Sequence, residues 1–100
     1  MANEFGKKIK QLRKAKNLLQ RHVASQLDID APLLSKIEKG ERRAKKDQIL
    51  SFAKVLDTSP SELLTLWLVD QVVELVKNED NPIQVMLIAE AQLKYSKYKN

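Results

Sequence analysis

A chain of 100 residues, 43% of them hydrophobic, supports one modest core, argues against disorder and leaves no room for a second catalytic unit. The absence of cysteine excludes disulfides and thiolate metal sites and fits a reducing cytoplasm. A net charge of +5 conceals an asymmetry: residues 1–46 carry 13 Lys and Arg against 5 Asp and Glu, a balance of +8, whereas residues 47–100 carry 5 against 8, a balance of −3.

In chain order, Phe5, Ile9, Leu12 and Ala15 recur at helical spacing, with Lys7, Lys8, Lys10, Arg13, Lys14 and Lys16 on the other face. This predicts a first helix from about Glu4 to Lys16, stopped by Asn17. Met1 to Lys16 has no apolar run of the signal-peptide kind. A second helix is expected from Gln20 to about Leu27, burying Val23, Ala24 and Leu27, followed by the turn Asp28-Ile29-Asp30 with Ile29 turned inward. Asp30 and Pro32 then form a good helix start. The third helix buries Leu34 and Ile37 and stops at Gly40. Glu41 to Lys46 reads as a charged loop, and a fourth helix over Asp47 to Leu56 is expected to bury Ile49, Leu50, Phe52, Ala53 and Leu56.

Ser59-Pro60-Ser61-Glu62 places Ser at N-cap, Pro at N1 and Glu at N3, and predicts a fifth helix reaching about Lys77. Asn78 to Pro82 breaks it, and a sixth helix follows to about Tyr98. No strand-like alternation competes, so the fold is expected to be all-α. The most apolar stretch, Leu63 to Val76, is interrupted by Asp70 and Glu74 and is too short to span a bilayer, so no membrane partner is expected.

Two short helices joined by a tight turn, flanked by basic residues, can set the second helix into the major groove of DNA. The basic first half points to a polyanion in the same way. At this point the residues resemble the Cro/phage-repressor type of helix-turn-helix, the Xre-like family. The resemblance rests on Ile9-x-x-Leu12-Arg13, Gln20-x-x-x-Ala24-x-x-Leu27-x-Ile29, Leu34-Ser35-Lys36-Ile37-Glu38-Lys39-Gly40-Glu41-Arg42 and Ser59-Pro-Ser-Glu-Leu63-Leu64. It implies a lambda-repressor-like five-helix DNA-binding domain with an extended fifth helix and an added C-terminal helix.

Carried over position by position, the resemblance places Gln20 at the start of the second helix against phosphate and sometimes a base, and Arg21 beside it is a further expected DNA-binding residue. Ala31, Pro32, Leu33, Ser35 and Lys36 fall on the groove-facing side of the recognition helix, with Leu33 open to a packing role instead. Lys39, Arg42 and Arg43 fall where family members grip phosphate, and Arg13 with Glu38 matches a structural salt bridge. Ala31 and Pro32 stand where polar readers are common; apolar groups can touch a thymine methyl but make no bidentate bonds, which leaves Lys36 as the main polar reader. Leu19 replaces the usual capping Ser or Thr, and Asp28 the usual Gly.

His22 is solitary, so neither a metal site nor nucleophilic catalysis is expected. Asp70 with Glu74, and Glu79 with Asp80, read as helix-surface charges. With glycine only at positions 6 and 40 there is no phosphate-cradling loop. The chain is therefore expected to be no enzyme and to need no cofactor or metal.

The fifth helix is apolar on more than one face and needs cover on more than one face. The sixth supplies part of that cover, and a second copy of the chain is the simplest remaining source. The expected division is a DNA-binding domain over residues 1–66 and a C-terminal helical hairpin over 67–100 that dimerises through Leu66, Trp67, Val69, Val73, Val76, Met86 and Leu87. The functional expectation is a cytoplasmic, sequence-specific transcriptional regulator, a homodimer on palindromic double-stranded DNA; a restriction-modification controller is one sub-case. The alternative is a protein-interaction module, such as an antitoxin-like partner, using the apolar C-terminal helices.

Overall fold

The computed structural model describes residues 2–99, with side chains through residue 96. The described residues form six α-helices: α1 (Glu4–Ala15), α2 (Gln20–Gln26), α3 (Ala31–Lys39), α4 (Ile49–Leu56), α5 (Pro60–Val76) and α6 (Pro82–Lys99). A single 3-10 turn, Lys46–Gln48, leads into α4. No described helix is long and apolar enough to cross a membrane.

Helices α1 to α4 all end the same way. A residue with positive φ follows each helix: Asn17 (56°), Asp28 (58°), Gly40 (81°) and Asp57 (54°). Its N–H, and that of the next residue, then return to the last turn, as in Asp28 N to Ser25 O (3.2 Å) and Ile29 N to Ala24 O (3.0 Å). Orphan carbonyls are thereby satisfied and the chain reverses sharply. Only one of the four residues is glycine; Asn and Asp enter the left-handed region more readily than other side chains.

The body forms because each of these helices keeps one apolar stripe. Phe5 and Ile9 of α1, Val23 and Ala24 of α2, Leu34 and Ile37 of α3, Phe52 and Leu56 of α4 and Leu63 of α5 close one core. Phe5 meets Phe52 edge to face at 5.6 Å. Burying a side chain such as Phe52 or Leu34 contributes about 2–3 kcal/mol, so this core is the main source of stability. Leu50 departs from the expectation: it is exposed. Ile49, Phe52, Ala53 and Leu56 already complete the i, i+3, i+4, i+7 stripe, and Leu50 lies a quarter-turn outside it.

The N-cap at Ser59 forms through Glu62 N to Ser59 Oγ at 3.3 Å, while the Glu62 carboxylate pairs with Lys8 of α1 at 3.1 Å. The division expected at residue 66 falls inside the continuous α5, whose ties to the body extend beyond it to Trp67 and Asp70.

The sixth helix does not cover α5 as expected. Every described side chain of α6 after Pro82 is exposed. Leu68, Val69, Val72, Val73 and Leu75 of α5 remain exposed as well. Ile83, Val85, Met86, Leu87 and Ile88 point around the whole circumference of α6. Such a helix has no single stripe to lay on a neighbour. It faces α5 across an open apolar groove of about 620 Å³, walled by Val69, Val72, Val73, Val76, Ile83 and Met86.

Candidate nucleic-acid interface

The geometry of α3 is set at both ends. Asp30 Oδ1 accepts from Leu33 N at 2.8 Å, which caps the start. At the far end Gly40 adopts φ 81° and Glu41 N returns to Lys36 O at 2.9 Å. Leu34, Ile37 and Glu38 are buried, which leaves Pro32, Lys36 and Lys39 exposed on the opposite face and Ser35 half-buried beside them.

A buried ion pair holds this helix in place. Arg13 donates Nε to Glu38 Oε2 at 2.7 Å and Nη2 to Oε1 at 3.0 Å, a bidentate pair, and gives Nη1 to Leu18 O at 2.9 Å. Gln20 Nε2 adds a third donor to Glu38, at 3.0 Å. One carboxylate thus joins α1, the start of α2 and α3. Desolvation largely offsets the attraction within such a pair, so its main effect is orientation and not net stability. The side-chain amide of Gln20, expected at a phosphate, is half-buried and engaged in this network.

The remaining expected contacts are distributed as follows. Arg21, Arg42 and Arg43 are exposed, Ala31 is half-buried, and Leu33 is half-buried against the core. Among the described residues no carboxylate pairs with Arg21, Lys36, Lys39, Arg42 or Arg43. Five cations on α2, α3 and the following loop therefore remain available to an external anion. Leu19 occupies the N-cap of α2 and supplies no capping bond. Asp28 takes the left-handed conformation for which glycine is usual, and Ile29 packs on the core behind it.

Five residues that position this surface were not assigned that role from the sequence. Gly6 lies so close to α3 that a Cβ there would sit 2.5 Å from Ile37 O and 2.7 Å from Glu38 O. Asn3 donates Nδ2 to Glu38 O at 3.0 Å. Asp70, read as a surface charge, is buried and caps α1 from α5, accepting Glu4 N at 2.7 Å and Phe5 N at 3.0 Å. Nearby, Glu74 Oε1 accepts Ala2 N at 3.0 Å and its other oxygen pairs with Lys77 at 2.8 Å; the Lys77 contact first, then the Ala2 bond, holds its pKa below the usual glutamate value. Finally, Trp67 Nε1 donates to Ala44 O at 2.8 Å. A glycine inside a good helix and acids on an apolar one were the available signals.

A family model described as a helix-turn-helix domain matches residues 4–66. The chain belongs to the helix-turn-helix family, of the Cro/Xre-like type. Among solved structures, the restriction-modification controller protein C.AhdI from Aeromonas hydrophila is similar, with 34% identity and a TM-score of 0.57 over 62% of this chain and 90% of that one. No curated protein matches the chain. The family assignment makes this helix-turn-helix protein a DNA-binding transcription regulator, and the family typically acts by binding and not by catalysis.

Proposed function

We propose that this helix-turn-helix protein acts as a homodimer on palindromic operator DNA. The observation that carries the DNA half of the reading is the outward face of α3, with Lys36 and Lys39 free of carboxylates, braced from behind by the Arg13–Glu38 pair. In this reading α3 enters the major groove, where Lys36 and Ser35 read base edges and Ala31, Pro32 and Leu33 make apolar contacts. Arg21, Lys39, Arg42 and Arg43 grip phosphate, and Gln20 reaches it beside its bond to Glu38. The work is done in the cytoplasm, where the DNA is.

The homodimer is supported by the apolar surfaces of α5 and α6, which the chain leaves exposed around their groove. Val69, Val73 and Met86 lie exposed there, and Leu87 is exposed elsewhere on α6; Leu66 and Trp67 are half-buried against the body, and Val76 is buried, so these three contribute at most from the rim. A two-fold dimer would present two α3 helices roughly one DNA turn apart, about 34–36 Å. The same groove favours a second reading, in which it receives a different protein, as in an antitoxin-like partner. The likeness to C.AhdI supports control of a restriction-modification system as the specific role.

Selection of bound sites from random duplexes, with sedimentation of the free protein, tests the proposal. Palindromic sites and a dimer are expected, and log affinity should fall with log salt at a slope of about −5 to −7 if six to eight phosphates are neutralised. Salt-insensitive binding, or a stable monomer at micromolar concentration, would remove the electrostatic face or the dimer respectively.

A further inference from the structure

The loop that carries Arg42 and Arg43 runs from Gly40 to Lys46 with no regular structure before its 3-10 turn. Its near end hangs on Lys36 O, which accepts Glu41 N at 2.9 Å and Arg42 N at 3.3 Å. Its far end is held by Lys45 N on Gln48 Oε1 at 2.9 Å. Beside the loop lies an open cleft of about 310 Å³, lined by Arg42, Arg43 and Ala44 of the loop and by Phe5, Trp67 and Asp70. Ala44 packs into the core, whereas residues 41–43 stand exposed along this cleft, and packing alone does not define their position.

One directed bond crosses to it. Trp67 donates its indole N–H to Ala44 O at 2.8 Å, and among the described residues this is the only hydrogen bond joining residues 41–46 to α5. Ala44 is buried at this contact, while Arg42 and Arg43 immediately before it are exposed. Neighbouring Cα atoms are about 3.8 Å apart, so displacement of Ala44 is carried directly to Arg43. A phenylalanine would supply similar apolar contact without the donor; a tryptophan places a hydrogen bond at a chosen carbonyl.

We propose that Trp67 is a positioning residue for DNA binding, holding the 41–46 loop in the pose from which Arg42 and Arg43 grip phosphate. The inference rests on the proposed phosphate role of those arginines. It assigns Trp67 to the grip on DNA and not chiefly to the dimer interface.

Trp67→Phe removes the donor and keeps most of the apolar contact. Affinity for operator and random duplex should fall together by about three- to tenfold, the range that one net hydrogen bond spans. The salt slope should become shallower by about one, with the preferred site unchanged. Combined with Arg42→Ala and Arg43→Ala, the same change should cost less than about twofold, because the groups it positions are gone. An equal loss in both backgrounds, or no loss in either, would overturn the inference. A second readout needs no variant: exchange of the Trp67 indole proton should slow when DNA binds, since loop and phosphate stabilise each other reciprocally. Exchange indifferent to DNA would also overturn it. If the unsubstituted protein binds no duplex, the proposed function itself fails; if it binds with a steep salt slope and Trp67→Phe behaves alike in both backgrounds, only the role of Trp67 is lost.

Discussion

The body and the tail of this chain contain similar apolar residues and treat them in opposite ways. Leu34, Phe52 and Leu63 in the body are wholly buried, whereas Leu75, Ile83 and Leu93 in the tail are 77%, 71% and 73% exposed. Apolar content states how much surface needs cover; it does not state whether the same chain provides it. In the body each helix keeps most of its apolar residues on one stripe, Leu50 excepted, and its neighbours share that stripe. In α6 they encircle the helix, and no intramolecular arrangement of one flanking helix can shelter them. The polar groups divide in the same way. The body invests its buried charges in orientation, through Arg13–Glu38 and Asp70, while the outer face of α5 around Val69 and Val73 is almost free of charge.

Breaking the body should therefore unfold it, and breaking the tail should not. Glu38→Ala leaves the Arg13 guanidinium buried without its carboxylate and removes the acceptor of Gln20. A loss of about 3–5 kcal/mol in urea unfolding is expected. A loss below 1 kcal/mol would show that Arg13 escapes to water and that the pair is not a fixed brace. In the tail, Val69→Lys places a charge on the groove wall. It should leave the body's secondary structure intact yet weaken the proposed dimer by about 2–3 kcal/mol, or roughly 30- to 150-fold, by sedimentation. An unaltered dimer would move the interface away from α5.

The two regions also differ in how far the sequence disclosed them. The α2–turn–α3 unit was legible because stripe, cap and stop agree at α3: Asp30, Pro32 and Gly40 each act as their chemistry predicts. Leu50 was misjudged by counting apolar residues without holding them to one stripe. Asp70 was misjudged, and the bond made by Trp67 was missed, for a different reason. Their partners, the N-terminus of α1 and the carbonyl of Ala44, are backbone groups 65 and 23 residues away along the chain. Side-chain chemistry announces that a donor or acceptor needs a partner, but only the fold decides which backbone group supplies it. For α6 the expectation of partial cover on α5 took hydrophobicity for complementarity.

Close approach in the body gives a sharper test than burial alone. Gly6→Ala introduces a Cβ against Ile37 O and Glu38 O, both backbone atoms that cannot turn aside. Overpacking of this kind costs about 1–3 kcal/mol, partly offset by the better helix propensity of alanine, worth up to about 1 kcal/mol. A net loss of stability is expected together with altered site preference, because the atoms displaced belong to α3. Retained stability with an unchanged selected site would mean that α1 and α3 slide apart without consequence.

The smallest effect concerns the seam where body meets tail. Glu74 holds Ala2 N at the start of the chain and Lys77 at the end of α5, and these contacts lower its pKa. A carboxylate with a depressed folded pKa contributes stability that is present above its unfolded value and lost as pH falls through the folded one. Glu74→Gln should therefore lower stability modestly at neutral pH, with the difference from the unsubstituted chain closing below the usual carboxylate range. The group is only half-buried, so salt should also shrink that difference. Thermal unfolding at neutral and acidic pH, with and without added salt, measures both trends. A difference that persists unchanged into acid would assign Glu74 a packing role and leave Asp70 as the acid that joins α5 to α1.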